Sequence, residues 1–355
     1  MRGQPERILI IIPSPILGGA EQQTLQVARG FLALGADCAV AAEPSVLQAA
    51  GPGLGRALVL PAPLRAPEGL LPEAARRWQF RALEALLRQF QPDAALVCCP
   101  LPTEGLGALE ALAAAKIPAL AVVHLVRPDW VLPASDRAAL AALRNDWAAV
   151  SEASARRLEA LLGLPPHRVA AIPNGLPPPR PTAPAWRGLP TGVKLLQLGR
   201  LDIRKGAQLA PAIAERIAPA QFLLAGDGPL RAALEGASGV HLLGQSREVP
   251  ALLAAADACL LPSEYEGCPL SILEAAQAGC PILATRQALE AWPEAAEMAR
   301  FILRDPGHIA GVFAESQKDT AGTAARVTRA RDVAAAWDEA AMIRRTLYVL
   351  AAACR

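Results

Sequence analysis

Short apolar runs recur at 8–12, 38–42, 94–99, 118–123, 147–150 and 168–172, and again at 193–198, 221–225, 240–243, 257–261, 281–284 and 300–303. Each is too short for a helix and almost free of polar residues, which suits a strand covered on both faces. Between them lie longer stretches, such as "EQQTLQVARGFLALG" and "SILEAAQAG", whose apolar residues recur at helical spacing. Strand and helix in alternation predict an α/β fold, with parallel sheets doubly wound by helices.

The two series of strands are separated by "PNGLPPPRPTAPAWRGLP", residues 173–190, with seven prolines in eighteen residues. Proline at that density cannot continue a helix or a central strand, so the segment reads as a semi-rigid linker. This division predicts a first domain over 1–172 and a second over 191–330. The last stretch, 331–355, contains "DVAAAWDEAAMIRRTLYVLAAACR" and reads as one long helix.

A length of 355 residues fits two domains. The apolar fraction is 53% but aromatics are only 4%, so the cores must be built from Ala, Leu, Val and Ile. A net charge of +2 argues against a nucleic-acid partner. The seven cysteines (38, 98, 99, 259, 268, 280, 354) lack CxxC spacing, and several lie in apolar runs. They predict reduced, buried thiols in a cytosolic compartment, without disulfide or zinc. The N-terminal "ILIII" stops at Pro13 with no small-residue cleavage site, so it reads as a first strand. No apolar stretch reaches the roughly 18 residues of a membrane span.

Chemistry concentrates where strands end. In "LPSEYEGCPLSILEAAQAGCPILAT", 261–285, Glu266 falls in the loop after a strand and Glu274 in the second turn of the next helix. Pro269 suits the start of that helix, and Gly279 its end. Ligands of open parallel sheets bind above the carboxyl ends of strands, and helix N-termini favour anions. "LLQLGRLDIRKG", 195–206, puts Gly199, Arg200 and Lys205 after another strand. Two cations there can neutralise a diphosphate, Arg as a fork and Lys as a point charge. "FLLAGDGPL" adds Gly226, Asp227 and Gly228, and "VHLLGQSREVPALL" adds Gly244 and Arg247. Taken singly, each motif is as easily a solvated turn; the ordered set is much harder to explain that way.

With these pieces in order, the chain resembles the retaining glycosyltransferases of family 4. The resemblance rests on "GRLDIRKG", "AGDGPL", "LLGQSREVPALLAAADACLLPS" and "EGCPLSILEAAQAGCPILAT", with "GGAEQQTLQVARGFLALGADCAV" and "VSEASARRLEALLGLPPHRVAAIPNG" in the first half. It implies the GT-B architecture: two Rossmann-like domains facing each other across a cleft, acceptor on the first and nucleotide-sugar on the second. The final helix would pack back on the first domain. Arg200 and Lys205 would hold the donor diphosphate, Glu274 the ribose hydroxyls, and Glu266 would lie against the transferred sugar. The backbone of Cys268 and Leu270 would approach sugar and phosphate, with Gly244 and Arg247 bordering the base. From the first half, Gly18 and Gly19 would bring backbone near the phosphate and acceptor, and His124 would contact the sugar. Departures from the family pattern are "RQALEAWPE" after "AT", Cys268 after "EG", and Leu176-Pro177 after "IPNG".

Other chemistries fit poorly. There is no GxGxxG after the first strand, no P-loop, no HExxH and no Asp-x-Asp metal clamp. The expectation is a nucleotide-sugar donor as substrate, no cofactor and no essential metal. The acceptor would be a glycan, a lipid-linked group or a small molecule. A nucleotide-sugar epimerase or phosphorylase on the same fold, or a non-catalytic nucleotide-sugar-binding scaffold, stays open. "LPEAARRWQFRALEALLRQF", 71–90, interleaves arginines with Trp78, Phe80 and leucines. Such a basic amphipathic helix can rest on an anionic membrane surface, or be an ordinary domain helix.

Overall fold

The computed structural model describes residues 5–178, 188–246 and 248–354. The chain divides into two compact units, Met1–Asn174 with Glu339–Arg355, and Gly175–Asp338. Most of the proline-rich segment, 179–187, lies outside the described residues, as does Arg247.

The first unit holds a seven-stranded sheet of order β3-β2-β1-β4-β5-β6-β7. The strands are β1 Arg7–Ile12, β2 Asp37–Ala42, β3 Leu58–Pro61, β4 Ala94–Cys99, β5 Ala119–Val123, β6 Asp146–Ala149 and β7 Val169–Ala171. All pairs are parallel. The central strands β4 and β5 are buried at every position, as helices on both faces require. Strand β3 has no counterpart among the apolar runs. It is an edge strand that exposes Leu58 and Val59, so its residues carry neither an alternating nor a fully buried pattern.

The second unit holds a six-stranded sheet of order β10-β9-β8-β11-β12-β13. Its strands are β8 Lys194–Leu198, β9 Gln221–Ala225, β10 Val240–Gly244, β11 Ala258–Leu261, β12 Ile282–Ala284 and β13 Arg300–Phe301, again all parallel. Both cores consist mainly of Ala, Leu, Val and Ile. In each sheet the strand order reverses at one place, between β1 and β4 and between β8 and β11. These are the switch points at which loops leave in opposite directions and open a crevice.

The tail is two helices, not the single helix expected over 331–355. Helix Thr320–Ala335 belongs to the second unit, and helix Glu339–Ala353 to the first. The break at Ala336–Asp338 is where the chain crosses between units. There Leu176 donates its N–H to the Trp337 carbonyl at 3.0 Å, and Trp337 packs on Trp292, ring centroids 5.1 Å apart. A continuous helix would leave that carbonyl bonded within itself and carry the chain straight on. Helix Glu339–Ala353 lies against helix Gly19–Ala33 and strand β5. Gly30 gives it room, because a Cβ there would collide with the Ile343 side chain. The side chain of Gln23 donates to the Met342 sulfur at 3.1 Å.

Leu350 on this last helix is fully buried. Leu350→Ala should destabilise the first unit by about 2–5 kcal/mol. Peptide-resolved hydrogen exchange should show protection lost in β1 and β4 and kept in β8 and β11.

Candidate functional site

In the second unit Arg200 and Lys205 lie on the loop after β8, Glu266 on the loop after β11 and Glu274 on the helix that follows, at the β8–β11 switch point. The loop after β8 is shaped by Asp202, whose Oδ1 accepts the Lys205 N–H at 2.8 Å and whose Oδ2 lies 3.3 Å from Arg200 Nε. From beneath, the buried Gln197 side chain donates to the Lys205 carbonyl at 2.9 Å. Gly206 closes the turn with φ +79°, where a Cβ would meet Pro262 at the end of β11. That close approach lays the β8 loop on the β11 loop, and Glu264 N–H donates to the Arg204 carbonyl at 2.9 Å.

The two loops bring Lys205 and Glu266 together. Lys205 Nζ donates to Glu266 Oε1, and Arg204 Nη1 lies 3.5 Å from the same oxygen. The Glu266 side chain is only 9% exposed. Burial by itself would raise its carboxyl, but the charges of Lys205 and Arg204, with hydrogen bonding, hold it below the usual range. Glu266 is therefore ionised at neutral pH. Arg200 stays half-exposed beside Asp202.

Glu274 has the opposite environment. It lies on helix Leu270–Ala278, and no hydrogen-bond donor among the described residues reaches its carboxylate. Burial pushes its pKa up to about 7. The same helix starts at Leu270 after Pro269, with no side-chain cap, so its first N–H groups are open to a ligand. Cys268, just before it, is buried. Among the glycines, Gly226 has a packing reason for its identity, since the Gly199 carbonyl fills the place of its Cβ. Its N–H donates to the Gly244 carbonyl at 2.8 Å, and Gly199 N–H donates to the Ala225 carbonyl at 3.0 Å. Gly199, Gly226 and Gly244 thus interlock three strand ends.

In the first unit the named residues lie on loops at the β1–β4 switch point and at the end of β5. Gly18 and Gly19 follow β1, and the Gly18 N–H donates to Glu21 Oε2 at 2.7 Å as helix Gly19–Ala33 begins. His124 follows β5 and donates its N–H to the Cys99 carbonyl at 2.9 Å. The residue is 8% exposed, Nε2 has no partner among the described residues, and burial lowers its pKa to about 3, so the imidazole is neutral. Sequence reading passed over Glu104, on the loop after β4. Burial, then the charge of Glu21, raises its carboxyl to about 7. It also passed over Arg204, although that residue lies inside "GRLDIRKG" between the two cations singled out.

Comparison with known proteins follows this division. Residues 17–180 match the family model described as Glycosyltransferase Family 4, and residues 192–319 the model described as Glycosyl transferases group 1. The chain is 34% identical over 137 residues to a 2-deoxystreptamine N-acetyl-D-glucosaminyltransferase of Niallia circulans, covering 35% of each chain. It is also 34% identical over 107 residues to a GDP-mannose-dependent phosphatidylinositol dimannoside mannosyltransferase of Mycobacterium tuberculosis, covering 27% of this chain and 28% of that one. The matches thus span about a third of the length of these curated relatives. Among solved structures, HepE of Anabaena in complex with UDP-glucose superposes with a TM-score of 0.78 at 17% identity, over 98% of this chain and 99% of that one. The likeness establishes the fold: two Rossmann-like units of the GT-B type.

The Glu274 carboxyl, raised from 4.5 to about 7 in the folded chain, carries a penalty that is absent below about pH 4.5 and complete above about 7. Glu274→Gln should therefore gain on the order of 1–3 kcal/mol over the parent at pH 8 and nothing at pH 4, read from urea unfolding at both pH values.

Proposed function

We propose that this chain is a retaining glycosyltransferase of family 4 type, moving a sugar from a nucleotide-sugar to an acceptor hydroxyl. The observation that carries the reading is the pair of glutamates with opposite environments on one switch-point crevice. Glu266 is held ionised by Lys205 and Arg204, and Glu274 is desolvated by its surroundings with no donor among the described residues. Environments that drive two carboxyls apart mark a division of labour. The two family matches, one on each unit, support the same reading.

In this proposal the nucleotide lies over β8 and β11. Its ribose hydroxyls supply the donors that Glu274 lacks. Lys205, Arg200 and the N-terminus of helix Leu270–Ala278 receive the diphosphate, with the backbone of Cys268 and Leu270 nearby. Gly244 and Arg247 border the base. In the transfer, the bond from the anomeric carbon to the diphosphate oxygen breaks and its electron pair stays on the diphosphate. The acceptor oxygen takes the carbon and gives up its proton to the departing diphosphate oxygen. Negative charge grows at Lys205 while positive charge grows on the sugar beside ionised Glu266, so both charges are met by groups already in place. Charge neutralisation by Arg200 and Lys205 replaces a metal.

Acceptor recognition belongs to the first unit in this reading, with Gly18, Gly19 and the neutral His124 offered to hydroxyl groups. The names of the relatives above carry 2-deoxystreptamine and phosphatidylinositol dimannoside, so a small polyhydroxylated molecule and a lipid-linked glycan are the acceptor classes to try. For a lipid-linked acceptor, helix Pro72–Phe90 would meet the membrane surface through the exposed Arg77, Arg81 and Arg88. Arg76 is not available for this, being tied to Asp136 at 2.6 Å. The proposal places the chain in the cytosol, where nucleotide-sugars are made.

A thermal-shift screen against UDP-, GDP-, ADP- and TDP-sugars finds the donor, since a ligand of the native state raises its stability. With that donor, Glu274→Ala should weaken free nucleoside diphosphate and nucleotide-sugar alike, by about 1.5–3 kcal/mol. Glu266→Ala should leave free nucleoside diphosphate binding nearly intact and lower turnover, as expected of an interaction felt mainly in the transition state. Calorimetry alongside kinetics separates them; reversed outcomes would invert the placement of the donor. Turnover should also survive EDTA, and its loss with restoration by magnesium would contradict the phosphate site.

A further inference from the structure

Arg304 follows β13, two strands away from β11, and nothing in the sequence ties it to the residues discussed so far. Its guanidinium nevertheless reaches both loops of the crevice. Nη1 lies 2.5 Å from Glu264 Oε1, and Nη2 donates to the Ile203 carbonyl at 2.6 Å. Ile203 stands two residues before Lys205, and Glu264 two residues before Glu266. One planar fork therefore spans the loop that carries the lysine and the loop that carries the glutamate.

We propose that Arg304 is a positioning residue, clamping the two loops so that Lys205 and Glu266 are aligned on a bound donor. The inference rests on the donor-site reading above. The ion pair to Glu264 is partly exposed, with side-chain accessibilities of 21% and 43%, and its charge alone contributes little. The geometry is what matters. A guanidinium holds two bonds at a fixed angle, whereas an ammonium is a single point charge on a flexible stem and cannot reproduce both. The other ties between the loops are local: the contacts of Lys205 and Arg204 with Glu266, Glu264 N–H to the Arg204 carbonyl at 2.9 Å, and Arg204 Nη1 to the Tyr265 carbonyl at 3.2 Å. All involve residues of the two loops themselves and move with them. Arg304 adds the strap from a third element, anchored where Asp305 caps helix Pro306–Lys318 through the His308 N–H at 2.7 Å. Arg304 acts through backbone and loop, not by touching the reacting groups.

The test uses Arg304→Gln, Arg304→Lys and Arg304→Gly in the full chain. Hydrogen exchange over 199–206 and 262–268 should rise in all three, with the strands of the second unit unchanged. With the nucleotide-sugar that the parent turns over, kcat should fall about ten- to a hundred-fold, the scale of a small misplacement at a reacting centre. The donor KM should change far less. Guanidinium ion should restore part of the turnover of Arg304→Gly, and urea at the same concentration should not. Unchanged exchange in both loops overturns the proposal. So does exchange that rises across the whole unit, because Arg304 would then serve the fold at large. If the parent turns over no donor, the reading of the crevice as a donor site fails, while loop exchange still decides whether Arg304 is the clamp.

Discussion

A carboxylate buried to the extent of Glu266 cannot stay ionised unless a counter-charge is built against it, and the crevice of the second unit is organised around that requirement. Lys205 and Arg204 supply the charge, from a loop 61 residues away in sequence. Delivering them there needs that loop to lie directly on the loop of Glu266. Gly206 makes this possible by leaving no Cβ between itself and Pro262, and Asp202 and Gln197 fix the backbone of Lys205 from two sides. Removing the lysine would leave a buried charge partly unpaired, so the pair behaves as one unit. A diphosphate entering the crevice would offer Lys205 a second anion while leaving Glu266 ionised by Arg204.

Eight residues further along, Glu274 is pushed the other way because its desolvation is not matched by any partner among the described residues. The contrast has a simple origin. Glu266 sits on a loop that the β8 loop reaches with Lys205 and Arg204, whereas Glu274 sits on a helix and meets no donor among the described residues. The first unit repeats the theme, with the charge of Glu21 acting on Glu104 at its own switch point and His124 kept neutral by burial at the end of the adjacent β5. Among the described residues, a buried polar atom lacks a hydrogen-bond partner near each reversal: His124 Nε2 in the first unit and Gln197 Oε1 on β8 in the second. That is the expected state of a surface that completes its hydrogen bonding with a ligand.

The glycines of the second unit show a different kind of constraint. Gly226 looks like a phosphate-loop glycine in the sequence, yet its missing side chain is explained by the Gly199 carbonyl packed against it. Close packing between adjacent strand ends sets the positions of the loops, and those loops then set the positions of the charges. Small residues there act on chemistry at one remove.

The sequence by itself determined the two parallel sheets, because a strand buried on both faces must be apolar throughout and leaves an unmistakable run. It also located the strand-end motifs carrying Arg200, Lys205, Glu266 and Glu274, since charged and small residues recurring at successive strand ends are hard to explain as solvated turns. Strand β3 was not legible, because an edge strand is half solvated and loses the pattern. The break at Ala336–Asp338 was not legible either, as alanine-rich sequence continues a helix until a bond such as that from Leu176 to Trp337 interrupts it. Which charge meets which was decided only by the tertiary structure. The Lys205–Glu266 pair, the lack of a partner for Glu274 among the described residues and the reach of Arg304 from β13 depend on distances between loops that local sequence does not encode, because sheet order and not chain order makes them neighbours.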